Sequence, residues 1–491
     1  MRIPPQTVRQ IHFVGIGGIG MSGIAELLVN LGYQVTGSDL ADNANTLRLR
    51  ALGVTINLNH DAKNVQNAQV VVISSGIKDP NNPEISEAKR LGIPVIKRAE
   101  MLAELMHLKL SVAICGTHGK TTTTSLTAAM FDAAGMDPTV VNGGIINSYG
   151  TNSRLGKGDW IVVEADESDG SFLRLPATIA VVTNIDPEHM DFYPDFETLR
   201  DSFVTFVNRV PFYGLGVLCI DHPIVRSILP ELSNRRIITY GLSEDANVRA
   251  VNLRESEQGT LFDVVIVPSG ALAHRALAKD TVAVLPRRIR DIFLPMVGQH
   301  NVLNALSAIA IAQELGINDE AVSRGFATFE GVKRRFTRVG SSHGIAVIDD
   351  YAHHPVEIKT VLKAGRQACK GKIIAVMQPH RYSRLQHLFE DFTTCFEAAD
   401  TIIITPIYSA GEDPLEGITT KKLAEGLRHQ GKLDVHTIDS QDELASLIAT
   451  LAHPGDMVLC LGAGSITQWA AILPEQLNTV LGIDATIESV A

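Results

Sequence analysis

Gly116-Thr117-His118-Gly119-Lys120-Thr121 is the stretch whose reading decides the fold. The apolar run Ser111-Val112-Ala113-Ile114-Cys115 precedes it and reads as a buried strand, and a helical pattern follows over about 121–134. Strand, glycine-rich loop and helix in that order make a phosphate cradle. Backbone N–H groups face the phosphate oxygens and the helix N-terminus adds partial positive charge. Lys120 reaches the β- and γ-phosphates, and the Thr121 hydroxyl suits Mg²⁺. A full Walker pattern needs Gly at position 114, where this chain has Ile114, so the match is to the second half. A plain glycine-rich turn is the bland alternative, and the strand before and helix after argue against it.

Downstream, two polar clusters follow apolar strand runs. Glu164-Ala-Asp166-Glu167-Ser-Asp169 comes after the run at 161–163, and its four carboxylates repel one another unless a divalent cation or a solvated loop accommodates them. Asn184-Ile-Asp186-Pro-Glu188-His189-Met-Asp191 follows a run at 179–183. Ligands collect at the carboxyl ends of parallel strands, so His189 and its neighbouring carboxylates are candidates for a second Mg²⁺. In Gly298-Gln-His300-Asn301-Val-Leu-Asn304, helical spacing puts His300, Asn301 and Asn304 on one face, suited to an adenine or ribose; capping by Asn is the alternative.

The N-terminal end repeats the theme. Ile11-His-Phe-Val14 reads as a strand, Gly15-Ile-Gly17-Gly18-Ile-Gly20 as a turn, and 21–31 as a helix. A second strand over 33–37 ends at Ser38-Asp39, with further strands at 70–74 and 93–96. This is a dinucleotide-binding layout, and alone it points to a redox cofactor. Strand runs recur at 345–349, 373–377, 401–405 and 457–461. After two of them stand Asp349-Asp350-Tyr351-Ala-His353-His354 and Gln378-Pro-His380-Arg381-Tyr382-Ser-Arg384, with Arg334-Arg335 upstream. Arg and His converging on a phosphate stabilise charge in phosphoryl transfer. The expected fold class is α/β in three domains: a Rossmann-like unit over 1–108, a P-loop ATPase-type unit over 109–325, and a second Rossmann-like unit over 326–491. A hairpin excursion is expected within 250–295.

Composition narrows the class. The chain has 491 residues, 45% hydrophobic and 20% charged, with a net charge of -11. That is globular, with no basic footprint for nucleic acid. No apolar run approaches the ~20 residues of a membrane span, and the first ten residues do not form a signal peptide. Five scattered cysteines without a CxxC pair argue for a reducing cytoplasm rather than a disulfide framework.

Taken in order, GTHGKT at 116–121, EADESD at 164–169, the His189 segment, GQHNVLN at 298–304 and DDYAHHP at 349–355 resemble the Mur ligase family along the whole chain. Gly-Ile-Gly-Gly-Ile-Gly-Met-Ser-Gly at 15–23 with Gly-Ser-Asp at 37–39 is similar to the family's alanine-adding branch. The resemblance implies a UDP-binding first domain in place of a redox site, a central ATPase domain, and a C-terminal domain that brings in the amino acid and moves as a lid. The reaction it implies is ATP-dependent ligation of L-alanine to UDP-N-acetylmuramate through an acyl phosphate.

Carried over position by position, the resemblance assigns the ATP site to Gly116, Thr117, His118, Gly119, Lys120, Thr121, Thr122, His300, Asn301, Asn304, Arg335 and Asp350. It assigns Mg²⁺ to Thr121, Glu164 and His189. The UDP part falls to Gly15, Gly17, Gly18, Gly20, Ser38, Asp39, Ser74, Ser75 and His118. The amino acid and acyl phosphate fall to Tyr351, His353, His380, Arg381 and Arg384. Lys120, Glu164, His189, Arg335, His353 and Arg381 carry the chemistry, with His353 a candidate acceptor for the amine proton. Several family members use a carbamylated lysine after the His189 segment, but 199–209 contains no lysine here. Small-molecule substrates, no nucleic acid, no membrane, and a monomer or weak homodimer complete the expectation. A murein tripeptide as acceptor, a dinucleotide-dependent oxidoreductase, and a non-catalytic nucleotide-binding regulator are the rival readings.

Overall fold

A computed structural model describes residues 8–482 apart from 75, 78, 80, 191, 233, 268–285 and 433. Its strands form three sheets. The first holds β1 (Gln10–Val14), β2 (Gln34–Ser38), β3 (Thr55–Asn57), β4 (Val70–Ile73) and β5 (Val95–Lys97), all parallel, in the order β3-β2-β1-β4-β5. The order reverses beside β1, which puts the glycine-rich turn after Val14 at the switch point of the sheet.

The second sheet has ten strands: β6 (Leu110–Cys115), β7 (Thr139–Ile146), β8 (Thr151–Arg154), β9 (Trp160–Glu164), β10 (Ile179–Val182), β11 (Leu215–Cys219), β12 (Ile237–Gly241), β13 (Val248–Ser256), β14 (Gly259–Ile266) and β15 (Arg287–Leu294). Their order is β15-β14-β13-β12-β11-β10-β6-β9-β7-β8. Strand β6 lies between β10 and β9, parallel to both, and residues 111–115 are buried. A strand covered on both faces reads as a continuous apolar run, which is why 111–115 shows no alternation. The β13–β14 hairpin falls in the expected excursion, and residues 268–285 of that stretch lie outside the described residues.

The third sheet is β16 (Thr337–Ser342), β17 (Ile345–Asp350), β18 (Ile373–Met377), β19 (Thr401–Ile404), β20 (Val435–Thr437) and β21 (Met457–Leu461), in the order β16-β17-β21-β18-β19-β20. Only β16 runs antiparallel, against β17. The chain thus has the expected three-domain α/β architecture.

By compactness the chain divides in two. One unit holds the first two sheets up to Glu330; the other holds the third sheet from Gly331, together with Arg254–Leu261 and Pro295–Asn301. Inside the first unit one apolar core runs unbroken from Ile11 through Met106 to Leu232. The helix Ile19–Asn30 packs on β7 and β8. Gly23 makes this possible: a Cβ there would fall 3.1 Å from both Asn152 Nδ2 and Ser153 Cβ. Asn152 also donates to the Ile19 carbonyl (2.9 Å).

Candidate active site

The loop after β6 is pinned before any ligand arrives. Gly116 and Gly119 take positive φ of 131° and 81°, and a Cβ on Gly116 would come within 2.0 Å of Thr183 Oγ1. The helix Lys120–Ala133 starts behind Gly119. Thr123 is bonded back to the Gly119 carbonyl (2.9 Å), so the N–H groups before it lie at the open end of the helix. The segment after β10 buttresses the loop. Asn184 Oδ1 accepts the His118 N–H (2.7 Å), Thr183 Oγ1 donates to the His118 carbonyl (2.7 Å), and the Asp186 N–H reaches Thr117 Oγ1 (2.8 Å). Thr117 and Thr122 are buried, and His118 Nε2 lies 3.6 Å from Asp186.

Lys120 has its ammonium fully engaged. Nζ donates to the Gly116 carbonyl (2.7 Å), the Thr117 carbonyl (3.1 Å) and Glu167 Oε1 (3.0 Å). Burial works against its charge, but Glu167, Asp166 and Glu164 outweigh that and raise its pKa above the ordinary lysine value. Asp166 is held below the usual carboxylate range against its own burial, chiefly by Lys120 and then by the Ser168 N–H and Arg98. The acidic run is therefore the counter-charge of the loop lysine.

Glu167, Glu188 and His189 present ligand atoms all within 4.8 Å of one another. Two carboxylates and an imidazole suit a divalent cation that takes its remaining ligands from water and phosphate. His189 holds left-handed backbone (φ 59°). Burial lowers its basicity, yet Glu167 and Glu188 hold its pKa above the ordinary value. Glu164, also expected as a ligand, stands outside this trio; its Oε2 accepts the Gly143 N–H at 2.7 Å. The sequence suggested one cation at the four-carboxylate run and a second with His189 and its neighbouring carboxylates; Glu167 comes from the first of these groups and Glu188 from the second.

At the first sheet, Gly15 has φ 79° and lies against Ser74, while the Gly15 and Ile16 N–H groups bond to the Ser38 carbonyl (2.9 and 3.0 Å). Asp39 Oδ2 accepts the Gly17 N–H (2.7 Å), and Gly18 is the N-cap of the helix Ile19–Asn30. The Ser38 side chain is fully buried and donates to Glu84 (2.7 Å), so what this residue presents to the turn is its backbone carbonyl. Ser75 lies outside the described residues. Asn304 is buried in the helix Gln299–Leu315, where a Cβ on Gly119 would meet its Oδ1 at 2.7 Å.

In the unit that holds the third sheet, Arg334 and Arg335 stack their guanidiniums over Tyr351 at 4.7 and 5.3 Å from the ring centroid. Asp350, expected to contact nucleotide, is buried and spends both oxygens on backbone, the Phe336 and Ala352 N–H groups (2.7 Å each). Burial pushes its pKa up to about 6, against the pull of Arg335. His300 is lowered to about 4 by burial and Arg335, and the Asn301 carboxamide nitrogen donates back to the Val297 carbonyl (2.8 Å).

His353, Tyr351 and His380 form an edge-to-face chain with ring spacings of 5.2 and 5.6 Å, and His380 Nδ1 lies 3.3 Å from Arg384 Nη1. Burial lowers His353 to about 3, so the expected acceptor of the amine proton is a weak base here. Arg381 has left-handed backbone (φ 70°) and donates its N–H to the Tyr408 carbonyl (2.8 Å). The Tyr408 ring stacks on His380 at 5.5 Å. Sequence reasoning passed over Tyr408, although it follows the strand run at 401–405.

Family models match the chain in three consecutive pieces: the Mur ligase family catalytic domain over residues 10–110, the Mur ligase middle domain over 114–312, and the Mur ligase glutamate ligase domain over 334–464. The UDP-N-acetylmuramate–L-alanine ligase of Rhodospirillum rubrum is 56% identical over 482 residues, 98% of each chain. That of Rhizobium meliloti is 54% identical over 478 residues, 97% of this chain and 99% of the other. Among solved structures, UDP-N-acetylmuramate-alanine ligase from Thermotoga maritima superposes with a TM-score of 0.77 at 28% identity, covering 96% of this chain and 99% of that one. A murein peptide ligase from Psychrobacter arcticus gives 0.66 at 22% identity over 98% and 100%, a likeness of fold alone.

Proposed function

The chain belongs to the Mur ligase family, and from that premise we propose that it joins L-alanine to the carboxylate of UDP-N-acetylmuramate, converting ATP to ADP and phosphate, in peptidoglycan precursor synthesis. One structural observation carries the ATP half of this reading: the Lys120 ammonium sits at the mouth of a rigid phosphate loop, ringed by Glu167, Asp166 and Glu164. The acceptor half rests on near-full-length likeness to ligases of that name.

A carboxylate is a poor acyl donor because oxide is a poor leaving group. In the first step a carboxylate oxygen of the sugar acid bonds to the γ-phosphorus of ATP and the bond to the β-phosphate oxygen breaks, giving an acyl phosphate and ADP. The alanine nitrogen then bonds to the acyl carbon, phosphate leaves, and one amine proton is lost. Lys120 neutralises charge on the transferring group while Gly116 and Gly119 hold the loop open to it. Thr117, His118 and Thr122 support that loop, and Asn304 borders it. Glu167 positions Lys120. Arg335, Arg381 and Arg384 supply cations for the acyl phosphate, with Tyr351, His353 and His380 lining the amino-acid side.

We assign Mg²⁺ to His189 with Glu188 and Glu167, and carry Glu164 and Thr121 as further ligands on the family resemblance; when bound, the ion would supply charge neutralisation of the phosphates. Gly15, Gly17, Gly18, Gly20, Asp39 and Ser74 form the UDP side. Cytoplasmic action as a monomer or weak homodimer fits the need for ATP and the five buried free thiols. Among the described residues no helix is long and apolar enough to cross a membrane.

Phosphate release from Mg-ATP with UDP-N-acetylmuramate, adding each of the twenty amino acids in turn, tests the reading. Release that appears with L-alanine and disappears in Lys120→Ala supports it. Release without any amino acid, or only with a murein tripeptide, overturns the alanine assignment.

A further inference from the structure

A single aromatic ring joins three strand ends of the third sheet. Strands β21, β18 and β19 are parallel neighbours in that order, so the turns that leave their carboxyl ends, at 462–465, 378–381 and 405–408, open on one edge. Tyr408 stands on the last of these turns. Its N–H donates to the Pro379 carbonyl and its carbonyl accepts the Arg381 N–H (2.8 Å each). Its ring stacks on His380, with the two planes 14° from parallel. The same ring lies against the turn after β21, where a Cβ on Gly464 would fall 2.5 Å from Tyr408 Cγ. Four residues on, the Glu412 carboxylate accepts the Ser383 N–H (3.0 Å) and hydroxyl (2.6 Å). The segment 408–412 is therefore fastened along 379–383 at both ends.

Core packing does not account for this ring. Tyr408 is 41% exposed, and among the described residues its hydroxyl makes no hydrogen bond. A large aromatic held open at the carboxyl edge of a parallel sheet stands where ligands collect. What it touches there is His380, whose imidazole continues edge-to-face to His353. A stack of this kind favours one ring orientation by about two- to tenfold. The backbone of Tyr408 serves the next residue. Arg381 holds strained left-handed dihedrals, which persist only where the surroundings over-determine them, and its N–H is tied to Tyr408.

We propose that Tyr408 is a positioning residue for the amino-acid half of the reaction, its ring fixing the plane of the His380 imidazole. The inference rests on the reading above that His380 lines the amino-acid side. It acts through His380, so its effect vanishes once that imidazole is gone. A ring that only staples the unit together would instead affect all three substrates alike.

Steady-state kinetics of the full-length protein, varying L-alanine, UDP-N-acetylmuramate and ATP in turn, separate the two. The variants are Tyr408→Phe, Tyr408→Leu, Tyr408→Ala, His380→Ala and the double variant Tyr408→Ala with His380→Ala, each with a thermal melt. The expected result for Tyr408→Ala is a fall of about tenfold in kcat/KM for L-alanine, with the KM values for ATP and UDP-N-acetylmuramate within about twofold of the parent. Tyr408→Phe, which keeps the stacked ring, stays within about twofold of the parent. Tyr408→Leu covers Gly464 without an aromatic face and follows Tyr408→Ala; it decides the matter should the alanine variant not fold. The double variant matches His380→Ala within about twofold. Losses that multiply in the double variant overturn the proposal, as does an equal fall for all three substrates. Tyr408→Phe as impaired as Tyr408→Ala overturns it too, since the hydroxyl would then carry the effect. A parent that does not turn over with L-alanine overturns the functional reading itself. A parent that does, with Tyr408→Ala and Tyr408→Leu matching it, sinks Tyr408 alone.

Discussion

Lys120 Nζ and Glu167 Oε2 stand 2.9 Å apart, and the Glu167 side chain is only 1% exposed. Each is the other's counter-charge, so the phosphate-loop lysine arrives at ATP already positioned and already paid for in desolvation.

Removing Lys120 strands a buried carboxylate. Lys120→Ala should lower turnover by about 10²–10³-fold and stability by about 3–5 kcal/mol. Adding Glu167→Gln should return most of the stability and none of the activity. Thermal melts and phosphate release on the single and double variants read the two effects separately. A single variant as stable as the parent would show that the pair contributes nothing to the fold.

The trio Glu167, Glu188 and His189 makes metal dependence testable. His189→Ala and Glu188→Gln should each raise the Mg²⁺ concentration needed for half-maximal turnover by about tenfold or more. A chelator should abolish turnover in the parent, with Mg²⁺ restoring it. Unchanged Mg²⁺ dependence in both variants would move the ion to Glu164 and Thr121.

Acid should weaken the unit that holds the third sheet. His300, His353 and His380 sit at about 4, 3 and 4, each lowered first by burial. Unfolding frees them to bind protons near the ordinary 6.5, so the stability they contribute is complete above about 6.5 and drains as pH falls toward 4. Asp350 acts in the opposite sense. Raised to about 6, it costs stability at neutral pH, and the cost fades as pH drops through that value. Three groups oppose one, so scanning calorimetry should show a falling melting temperature from pH 7 to 4.5. Replacing His353 by Gln should flatten the slope; a flat parent profile would refute the balance.

Gly116 has no room for a side chain. With φ 131° and Thr183 Oγ1 2.0 Å from a modest methyl, Gly116→Ala should destabilise by several kcal/mol, at the upper end of single-substitution effects. Gly20→Ala meets only the flexible Arg98 and should melt close to the parent. Equal melting temperatures for the two variants would disprove the steric account.

Most of the architecture could be read before the fold was seen, because the central strands of parallel sheets are unbroken apolar runs such as 111–115 and 373–377. Strands β7 and β8 could not. Thr139–Ile146 carries Asn142-Gly143-Gly144 and Thr151–Arg154 is polar throughout, yet the inner residues of β8 are buried because the helix Ile19–Asn30 covers them. That cover comes from a part of the chain over a hundred residues earlier. The site was legible by position and less so by role. Strand ends flagged the acidic run and His189, but only the fold shows that Glu167 faces Lys120. Only the fold shows that the Ser38 hydroxyl turns inward, that the Asp350 oxygens go to backbone, and that His189 and Arg381 hold left-handed backbone. Side-chain direction and strained dihedrals follow from packing, and spacing does not encode them.

The unbroken core from Ile11 to Leu232, closed by Gly23 against Ser153, bears on how this chain can be cut and recombined. The nucleotide-sugar end is not a portable module. Excised near residue 108, it would bare the face of the helix Ile19–Asn30 that β7 and β8 cover, and the remainder would bare β8. Chimaeras that exchange acceptor specificity between related ligases are therefore best joined after Glu330, carrying the first two sheets across as a single inheritance.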